Sequence, residues 1–238
     1  MTNATNAKGL SFVLIEPGSQ ISEADHYDWY DNEHSPARLT VPGFFNATRF
    51  KAIDSQKPSY LTLYDISEPS VANGPDFEAL RTRASARDRA MLEKVQYLNR
   101  RTYELLQEPW LHQDTTDASL PGQFMLLVSM EVKAELEEEF NRWFSEEHIP
   151  DFLIKIPGWL RSRRYKLYDN LEKGAFEDGS GLKVCKYLAL HDFSRGGFME
   201  HEMMKASFET PWAKRIYADL LHREVRVLKL HRIYQKPQ

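Results

Sequence analysis

Two stretches of this chain are nearly alike: WYDNEHSPARLTVPGFFNATRF from Trp29 to Phe50, and WFSEEHIPDFLIKIPGWLRSRRY from Trp143 to Tyr165. Each contains a Glu-His-x-Pro motif, a Pro-Gly pair and then an arginine followed by an aromatic residue. Because so unusual a combination occurs twice in one chain, we interpret the sequence as an internal duplication.

The similarity extends on both sides of the motif. LSFVLIEP precedes the first copy and FMLLVSMEV the second, while YLTLYDI and YLALHDF follow at equivalent positions. Two prolines and many polar residues mark the segment between the copies, a composition typical of a linker. We therefore predict an N-terminal repeat over residues 1–112, a linker over 113–122 and a C-terminal repeat over 123–238.

Each copy shows the same predicted order of elements. An apolar strand is followed by a helix that carries the motif, two further strands, a second helical stretch and a last strand. The order β-α-β-β-α-β is that of a ferredoxin-like domain. One such domain covers one face of its sheet with helices and needs a partner for the other face. We predict an α+β fold in which the two tandem repeats form one intramolecular barrel.

The order of elements and the W-[YF]-x-x-E-H-x-P motif resemble the dimeric α+β barrel superfamily, which includes EthD-like proteins and small polyketide cyclases and monooxygenases. The resemblance covers essentially the whole chain. It implies a flat, oxygenated, mostly apolar substrate, for which acid-base chemistry without a cofactor is the most economical mechanism. The motif is shared by proteins of different activity, so it does not choose the reaction.

Charge and composition exclude several classes of function. The net charge of −4 and the lack of a long basic run argue against a nucleic-acid partner. No apolar run approaches the roughly 20 residues of a membrane span. The single cysteine, Cys185, excludes a disulfide framework, and residues 1–10 are polar, so we expect a cytoplasmic protein.

The predicted helix of each copy has one face that points inward at helical spacing. In the second copy this face is apolar, with members Leu136, Phe140, Trp143, Phe144 and Glu147. In the first copy it is more polar, with members Ser22, His26, Trp29, Tyr30 and Glu33. Because a proline follows shortly, each helix is expected to end near its Glu-His pair. If only one half keeps a working pocket, the first is the better candidate.

Acid-base chemistry needs a proton-transfer group and a group that stabilises negative charge. The predicted catalytic residues are His34, His26, Glu33 and Tyr30. The predicted substrate-binding residues are Arg49, Trp29, Phe44, Phe50 and Tyr64, with Phe45 and Tyr60 as further aromatic walls. We expect His34 or His26 to move a proton next to a carbonyl, and Tyr30 or Arg49 to stabilise the oxyanion. The second-half equivalents are Glu147, His148 and Arg164.

Other interpretations stay open at this point. Glu33 could pair with Arg49, and Glu147 with Arg164, as purely structural ion pairs. The protein could instead be a cofactor-free monooxygenase or a non-catalytic binder of small aromatic ligands. No spacing typical of a metal site or a nucleotide site occurs, so no cofactor and no metal are predicted. The expected partner is an aromatic or polyketide-like small molecule, and a homodimer is compatible with the sequence.

Overall fold

The computed structural model describes residues 6–236, which form two compact units. Unit 1 contains residues 6–105, 167–182 and 231–236, and unit 2 contains Leu106–Lys166 and Lys183–Leu230. Helices and strands occur in both units, so the predicted α+β class is confirmed. The first five residues of the polar N-terminal segment lie outside the described residues.

Nine strands are found in the described residues: β1 Gly9–Glu16, β2 Phe44–Ala52, β3 Tyr60–Ile66, β4 Tyr97–Leu105, β5 Trp110–Leu111, β6 Phe124–Val132, β7 Trp159–Gly174, β8 Tyr187–Phe193 and β9 Leu220–Gln235. The last part of β7 and the end of β9 belong to unit 1. Each unit is therefore made of segments from different parts of the chain. The division of the sequence into two repeats at the linker 113–122 stays a prediction.

Seven α-helices are found between residues 6 and 236, four in unit 1 and three in unit 2. They are α1 Glu23–Trp29, α2 Ser35–Leu39, α3 Pro75–Thr82, α4 Ala86–Lys94, α5 Glu137–Trp143, α6 Glu202–Ala206 and α7 Pro211–Ala218. Short 3₁₀ segments lie at Pro69–Asn73, Asp117–Ser119, Ala134–Leu136 and Leu153–Lys155. None of the helices described in residues 6–236 has the length and apolar character needed to cross a bilayer.

Both units arrange their strands in the same way. In unit 1 the order is β4-β1-β3-β2, and each strand runs antiparallel to its neighbours in this order. In unit 2 the order is β9-β6-β8-β7-β5, again antiparallel. The register shifts at the start of β2, between Phe44 and Asn46, and at the equivalent place in β7, between Trp159 and Arg161.

The repeated Pro-Gly pair has a structural reason. Gly43 and Gly158 have φ angles of +86° and +91°, a region that side chains rarely adopt. A Cβ atom on Gly43 would lie 2.7 Å from Oγ of Ser67, so the turn has no room for one. In each half the glycine carbonyl then accepts a backbone hydrogen bond, from Ser67 at 2.8 Å and from Ser194 at 2.7 Å. The Pro-Gly pair thus sets the entry into β2 and β7.

Apolar side chains form separate cores in the two units. All eight residues of β1 are buried, as its position between β3 and β4 requires. In unit 1 the clusters include Trp29, Tyr30 and Tyr60 near α1. In unit 2 one cluster runs from β6 to α7 and includes Phe140 and Trp143.

Candidate active site

A π-helical turn over Tyr30–His34 positions the Glu-His pair of the first half. The N–H of Ser35 donates to the carbonyl of Tyr30, five residues earlier. This wider turn shifts the buried face by one residue, so His34 is buried and Glu33 only half-buried. Such turns inside helices often occur at functional sites.

The prediction that the helices end near the Glu-His pairs is wrong. In the first half α2 continues to Leu39, and in the second half a π-helical segment runs from Phe144 to Phe152 with Pro150 inside it. The expectation that Glu147 lies on the apolar face fails for the same reason, because α-helical spacing does not hold through a π turn. His148 is the buried member of its pair.

His34 is held by a carboxylate from another helix. Nδ1 of His34 lies 2.7 Å from Oδ1 of Asp88 in α4. The indole N–H of Trp29 donates to the same oxygen at 2.8 Å. His34 and Asp88 are 3% and 7% exposed, so the contact is largely shielded from solvent. Because an ionised carboxylate only accepts, the His34 proton lies on Nδ1 and leaves Nε2 free of a proton.

Asp88 is fixed in place by the start of its own helix. Ser85 is the N-cap residue of α4, and its hydroxyl accepts a hydrogen bond from the N–H of Asp88 at 2.9 Å. The same hydroxyl donates to the carboxylate of Glu33. Glu33 thus ties the π-helical turn to α4, which sets the distance between His34 and Asp88.

The charge states of the pair follow from burial and from each other. Burial lowers the pKa of His34 to about 3, with the positive charge of Arg38 acting in the same direction and Asp88 opposing it. Burial raises the pKa of Asp88, but the His34 hydrogen bond and the Arg38 charge outweigh this effect and bring that pKa to about 2. At neutral pH the site therefore holds a neutral imidazole beside an ionised carboxylate.

A cavity of about 730 Å³ in unit 1 opens against this pair. His34, Glu33 and Asp88 line it, together with Arg38 one helical turn beyond His34. Its apolar lining residues include Val13, Phe77, Leu80, Leu92, Leu98 and Leu171. The volume lies within the range of roughly 300–1,000 Å³ that small-molecule sites occupy, and apolar walls with a few polar groups are typical of them.

The remaining predicted catalytic residues lie behind the cavity. Tyr30 is 1% exposed, and its ring centroid is 4.7 Å from that of His34. His26 is completely buried, with ring centroids 4.8 Å from Tyr30 and 4.5 Å from Tyr60. The predicted contacts among His26, Tyr30 and His34 are therefore present. However, neither His26 nor Tyr30 lines the cavity, because aromatic packing holds both in the core.

Arg49 does not pair with Glu33, so the predicted structural ion pair is wrong. Nη1 of Arg49 lies 3.0 Å from Oδ1 of Asp31, and its guanidinium packs over the rings of Tyr27 and Tyr30. Asp31, and not Glu33, is thus the residue of the π-helical turn that reaches β2. Arg49 is completely buried and does not line the cavity.

The other residues predicted to bind substrate are in the unit 1 core. Trp29, Phe44, Phe50 and Tyr64 are each at most 1% exposed, and none of them lines the cavity. The side chains of Phe44 and Tyr64 contact one another from neighbouring strands, with ring centroids 5.7 Å apart. Trp29 still affects the site, because its indole N–H and Nδ1 of His34 bind the same oxygen of Asp88.

The second half has the same motif without the carboxylate. Ala213 follows the N-cap residue Thr210 at the position that Asp88 has after Ser85. Nδ1 of His148 is buried and has no hydrogen-bond partner within residues 6–236. Glu147 accepts hydrogen bonds from Thr210 at 2.7 Å and from the indole of Trp143 at 3.1 Å.

The predicted Glu147–Arg164 pair is also wrong. Arg164 donates to the side chain of Asn141 at 2.7 Å, and its guanidinium lies over Phe144 at 4.2 Å. Glu147 instead accepts a hydrogen bond from the hydroxyl of Thr210, the N-cap residue of α7.

Sequence reasoning missed Asp88, Ser85 and Arg38. Ser85 and Asp88 form the S-x-x-D pattern of a helix start, which was a signal for α4. Arg38 lies four residues after His34, a spacing that brings side chains together on a helix. A direct comparison of Asp88 with Ala213 would have distinguished the two halves.

No group of three or more His, Cys, Asp or Glu residues in the described part of the chain is arranged to hold a metal ion. The titratable residues at the cavity are the hydrogen-bonded His34 and Asp88, two further carboxylates and a set of cations.

No protein-family model and no curated protein sequence matches the chain. Solved structures do match it in fold. An anthrone oxidase-like protein has a TM-score of 0.66 at 11% identity, over 99% of this chain and 96% of that one. A proposed monooxygenase from Lactobacillus acidophilus has a TM-score of 0.55 at 11% identity, over 96% and 97%.

A mutant chlorite dismutase from Candidatus Nitrospira defluvii has a TM-score of 0.54 at 11% identity, over 98% of this chain and 96% of that one. At such low identities the similarity shows a shared fold. The fold therefore places this chain beside proteins of several different activities.

Proposed function

We propose that this protein is an enzyme that removes a proton from a carbon next to a carbonyl group, in a small and largely apolar substrate. The observation that carries the proposal is the 2.7 Å contact between His34 and Asp88 at the wall of the unit 1 cavity. A carboxylate that binds Nδ1–H fixes the tautomer in which Nε2 is the base, as in other Asp-His pairs.

The proposed step uses groups present in the cavity. Nε2 of His34 takes the proton from carbon, and the electron pair of the broken C–H bond moves onto the carbonyl oxygen to give an enolate. Arg38 lines the same cavity, its Nη1 donates to the backbone carbonyl of His34 at 2.9 Å, and its positive charge acts on the His34 imidazole. It is therefore the residue placed to stabilise the enolate.

Asp88 acts through His34. The imidazolium that forms stays hydrogen-bonded to the Asp88 carboxylate, which stabilises its positive charge. The negative charge of the enolate also stabilises the imidazolium, because opposite charges attract strongly in a site of low polarity.

Return of the proton to another carbon completes an isomerisation, and its departure with a β-hydroxyl group as water completes a dehydration. In a cyclisation the enolate carbon forms a bond to a second carbonyl carbon, and the oxygen of that carbonyl takes the proton. In a decarboxylation a 3-oxo acid gives its carboxyl proton to His34 and loses CO₂ to form the same enolate, and His34 returns the proton to carbon.

Cofactor-free oxygenation is the second candidate. It is favoured by the names of two fold neighbours, an anthrone oxidase-like protein and a proposed monooxygenase. The same deprotonated substrate would react with dioxygen, and loss of water from the hydroperoxide converts a CH₂ group into a C=O group. Substrate and O₂ then give the oxidised product and H₂O, and the protein contributes the base.

The resemblance to the dimeric α+β barrel superfamily belongs to the same proposal. It is supported by the equal strand orders inside the two units and by the fold neighbours. An aromatic or polyketide-like ligand fits the apolar lining of the cavity, whereas a homodimer stays a prediction.

Anthrone in D₂O tests both candidates, because its CH₂ group is conjugated with the carbonyl through the aromatic rings and gives an enolate-type anion when it loses a proton. Proton NMR would follow deuterium exchange at this group, and an oxygen electrode would follow O₂ consumption. We expect His34→Gln to slow exchange by about 10²–10⁴-fold, the usual contribution of general acid-base catalysis, and His148→Gln to leave it unchanged.

Exchange without O₂ consumption supports the acid-base enzyme, and exchange with O₂ consumption supports the oxygenase. Wild-type protein that binds anthrone but exchanges no faster than buffer supports a non-catalytic binder. Equal exchange rates of the wild-type protein and His34→Gln would contradict the assignment of His34.

A further inference from the structure

We propose that the unit 1 cavity selects substrates that carry a carboxylate, and that Arg100 is the residue that binds it. The inference rests on the proposed function for the identity of the site, and it adds the chemical class of the substrate. Neither the sequence motif nor the fold neighbours point to Arg100, which lies in β4 on the wall of the cavity.

The charge at the cavity is opposite to that of the whole chain. Six cations line the cavity: Arg38, Arg81, Arg83, Arg89, Arg100 and Lys173. Three carboxylates line it: Glu33, Glu78 and Asp88. With His34 neutral the lining carries a net charge of +3, whereas the chain as a whole carries −4. A cationic cavity in an acidic protein attracts anions to this site.

Most of these cations have no carboxylate partner in the described part of the chain. Arg81 forms an ion pair with Glu78 at 2.9 Å. Arg83, Arg89 and Lys173 donate to backbone carbonyls, as Arg38 does. The positive charge is therefore not neutralised by the protein itself.

Arg100 is the member of this set best suited to hold a ligand. It is half-buried, its Nη2 donates to Asn73 at 2.6 Å, and its Nη1 contacts the carbonyl of Ala72 at 3.4 Å. Its Nε is buried and has no hydrogen-bond partner within residues 6–236. The carboxylate of Asp169, which accepts from Asn73 at 2.8 Å, favours the charge of Arg100 but forms no ion pair with it in the described part of the chain. Burial of the guanidinium is therefore only partly offset, and a bound anion would reduce the remaining cost.

The surroundings of Arg100 favour a carboxylate on an apolar body. The guanidinium lies 5.2 Å from the ring centroid of Phe77, which fixes its plane, and leucine side chains line the adjacent wall. A planar guanidinium matches a planar, singly charged carboxylate, whereas a phosphate dianion presents three strongly accepting oxygens and needs more donors. Aromatic or alicyclic carboxylates therefore fit both parts of the cavity.

Arg38 links this binding to the proposed reaction. Burial lowers the pKa of Arg100, Asp169 and Glu78 oppose this effect, and the charges of Arg81 and, most weakly, Arg38 add to it. The guanidiniums of Arg38 and Arg100 are therefore within electrostatic range of each other. An anion bound between them would also offset the effect of Arg38 on the pKa of His34, which would make His34 a better base.

Calorimetric titration with 2-naphthoate, 2-naphthamide and 2-naphthyl phosphate tests the proposal. The first two probes have nearly the same shape and differ in charge. We expect 2-naphthoate to bind at least about tenfold more tightly than 2-naphthamide, with a preference that decreases as salt is added. Arg100→Gln should abolish the preference, and Arg215→Gln, an exposed arginine of unit 2, should leave it intact.

Binding separates this proposal from the proposed function, since it does not need turnover. His34→Gln should bind 2-naphthoate as the wild-type protein does, even if it exchanges no protons. Arg38→Gln serves as a second variant if Arg100→Gln fails to fold, and it should weaken the preference. Equal binding of naphthoate and naphthamide, tighter binding of the phosphate, retention of the preference in Arg100→Gln, or binding of no probe would each overturn the proposal.

Discussion

His34 in unit 1 and His148 in unit 2 occupy equivalent positions in the two motifs. Each lies in a π-helical segment that begins directly after a tryptophan. Their surroundings differ at one residue of the facing helix. Asp88 binds His34, whereas Ala213 stands at that position in unit 2 and leaves Nδ1 of His148 without a partner within residues 6–236. We therefore attribute the shared parts of the motif to architecture, and in the proposed function the Asp88–Ala213 difference distinguishes the catalytic half.

The shared parts have identifiable structural roles in both units. Glu33 and Glu147 each accept a hydrogen bond from the N-cap residue of the facing helix, Ser85 or Thr210. The structural interpretation of the glutamates is thus supported, although their partners are hydroxyls and not arginines. Two further differences distinguish the units, because His26 and Tyr30 in the first have Phe140 and Phe144 as their counterparts in the second.

Asp88→Ala gives unit 1 the residue of unit 2 and should have the largest effect. Without the carboxylate the His34 tautomer is no longer fixed and the imidazolium loses its partner, so kcat should fall on the order of 10²-fold or more. Stopped-flow or NMR exchange assays would measure it. Asp28→Asn is the matched control, because Asp28 is exposed and pairs with Arg87. An unchanged kcat in Asp88→Ala would show that the two histidines do not differ chemically.

His26→Phe removes a second difference and should change how stability depends on pH. Burial lowers the pKa of His26 to about 3 from 6.5, so the unfolded chain binds one proton more between these values. The free energy of unfolding is then highest above pH 6.5 and falls as the pH decreases toward 3. At pH 5 this group alone lowers the stability by about 2 kcal/mol, a loss that the variant should not show.

Urea unfolding at pH 8 and pH 5 would measure the effect. Phe140→Leu, at the equivalent position of unit 2, should change stability by the same amount at both pH values. A wild-type pH dependence in His26→Phe would contradict the assignment of a neutral, buried His26.

Ser85→Ala and Thr210→Ala compare the two N-cap residues and should have the smallest effects. Each loses the hydrogen bond to the third backbone N–H of its helix, so each should lower the free energy of unfolding by about 1 kcal/mol. Only Ser85→Ala should also slow turnover, by a few fold, because Asp88 lies on the helix that Ser85 caps. Equal activity of both variants would show that Ser85 does not position Asp88.

The α+β class could be predicted from the sequence, because the motif and the apolar runs around it occur twice. Pro42-Gly43 and Pro157-Gly158 occur twice for the same backbone reason, and the match could be read without a structure. The π-helical turns could not be predicted in this way. A prediction from hydrophobic spacing uses 3.6 residues per turn. One wider turn changes which residue faces the core, so the histidine of the Glu-His pair is buried in place of the glutamate.

The candidate site was predicted in part. His34 and Glu33 lie at the cavity as expected, since both belong to the motif. Asp88 is 54 residues away in sequence, and such a contact depends on how α4 packs against the motif helix. The aromatic residues Trp29, Phe44, Phe50 and Tyr64 were proposed as walls because they flank the motif, but strand and helix packing bury them in the core.

Nitrogen-15 NMR of the histidine side chains tests most directly whether Asp88 makes His34 different from His148. At pH 7 the account predicts a neutral His34 with its proton on Nδ1 and a proton-free Nε2, and a shift of this tautomer in Asp88→Asn. A His34 that is protonated on both nitrogens at pH 7, or that carries its single proton on Nε2, would contradict the account.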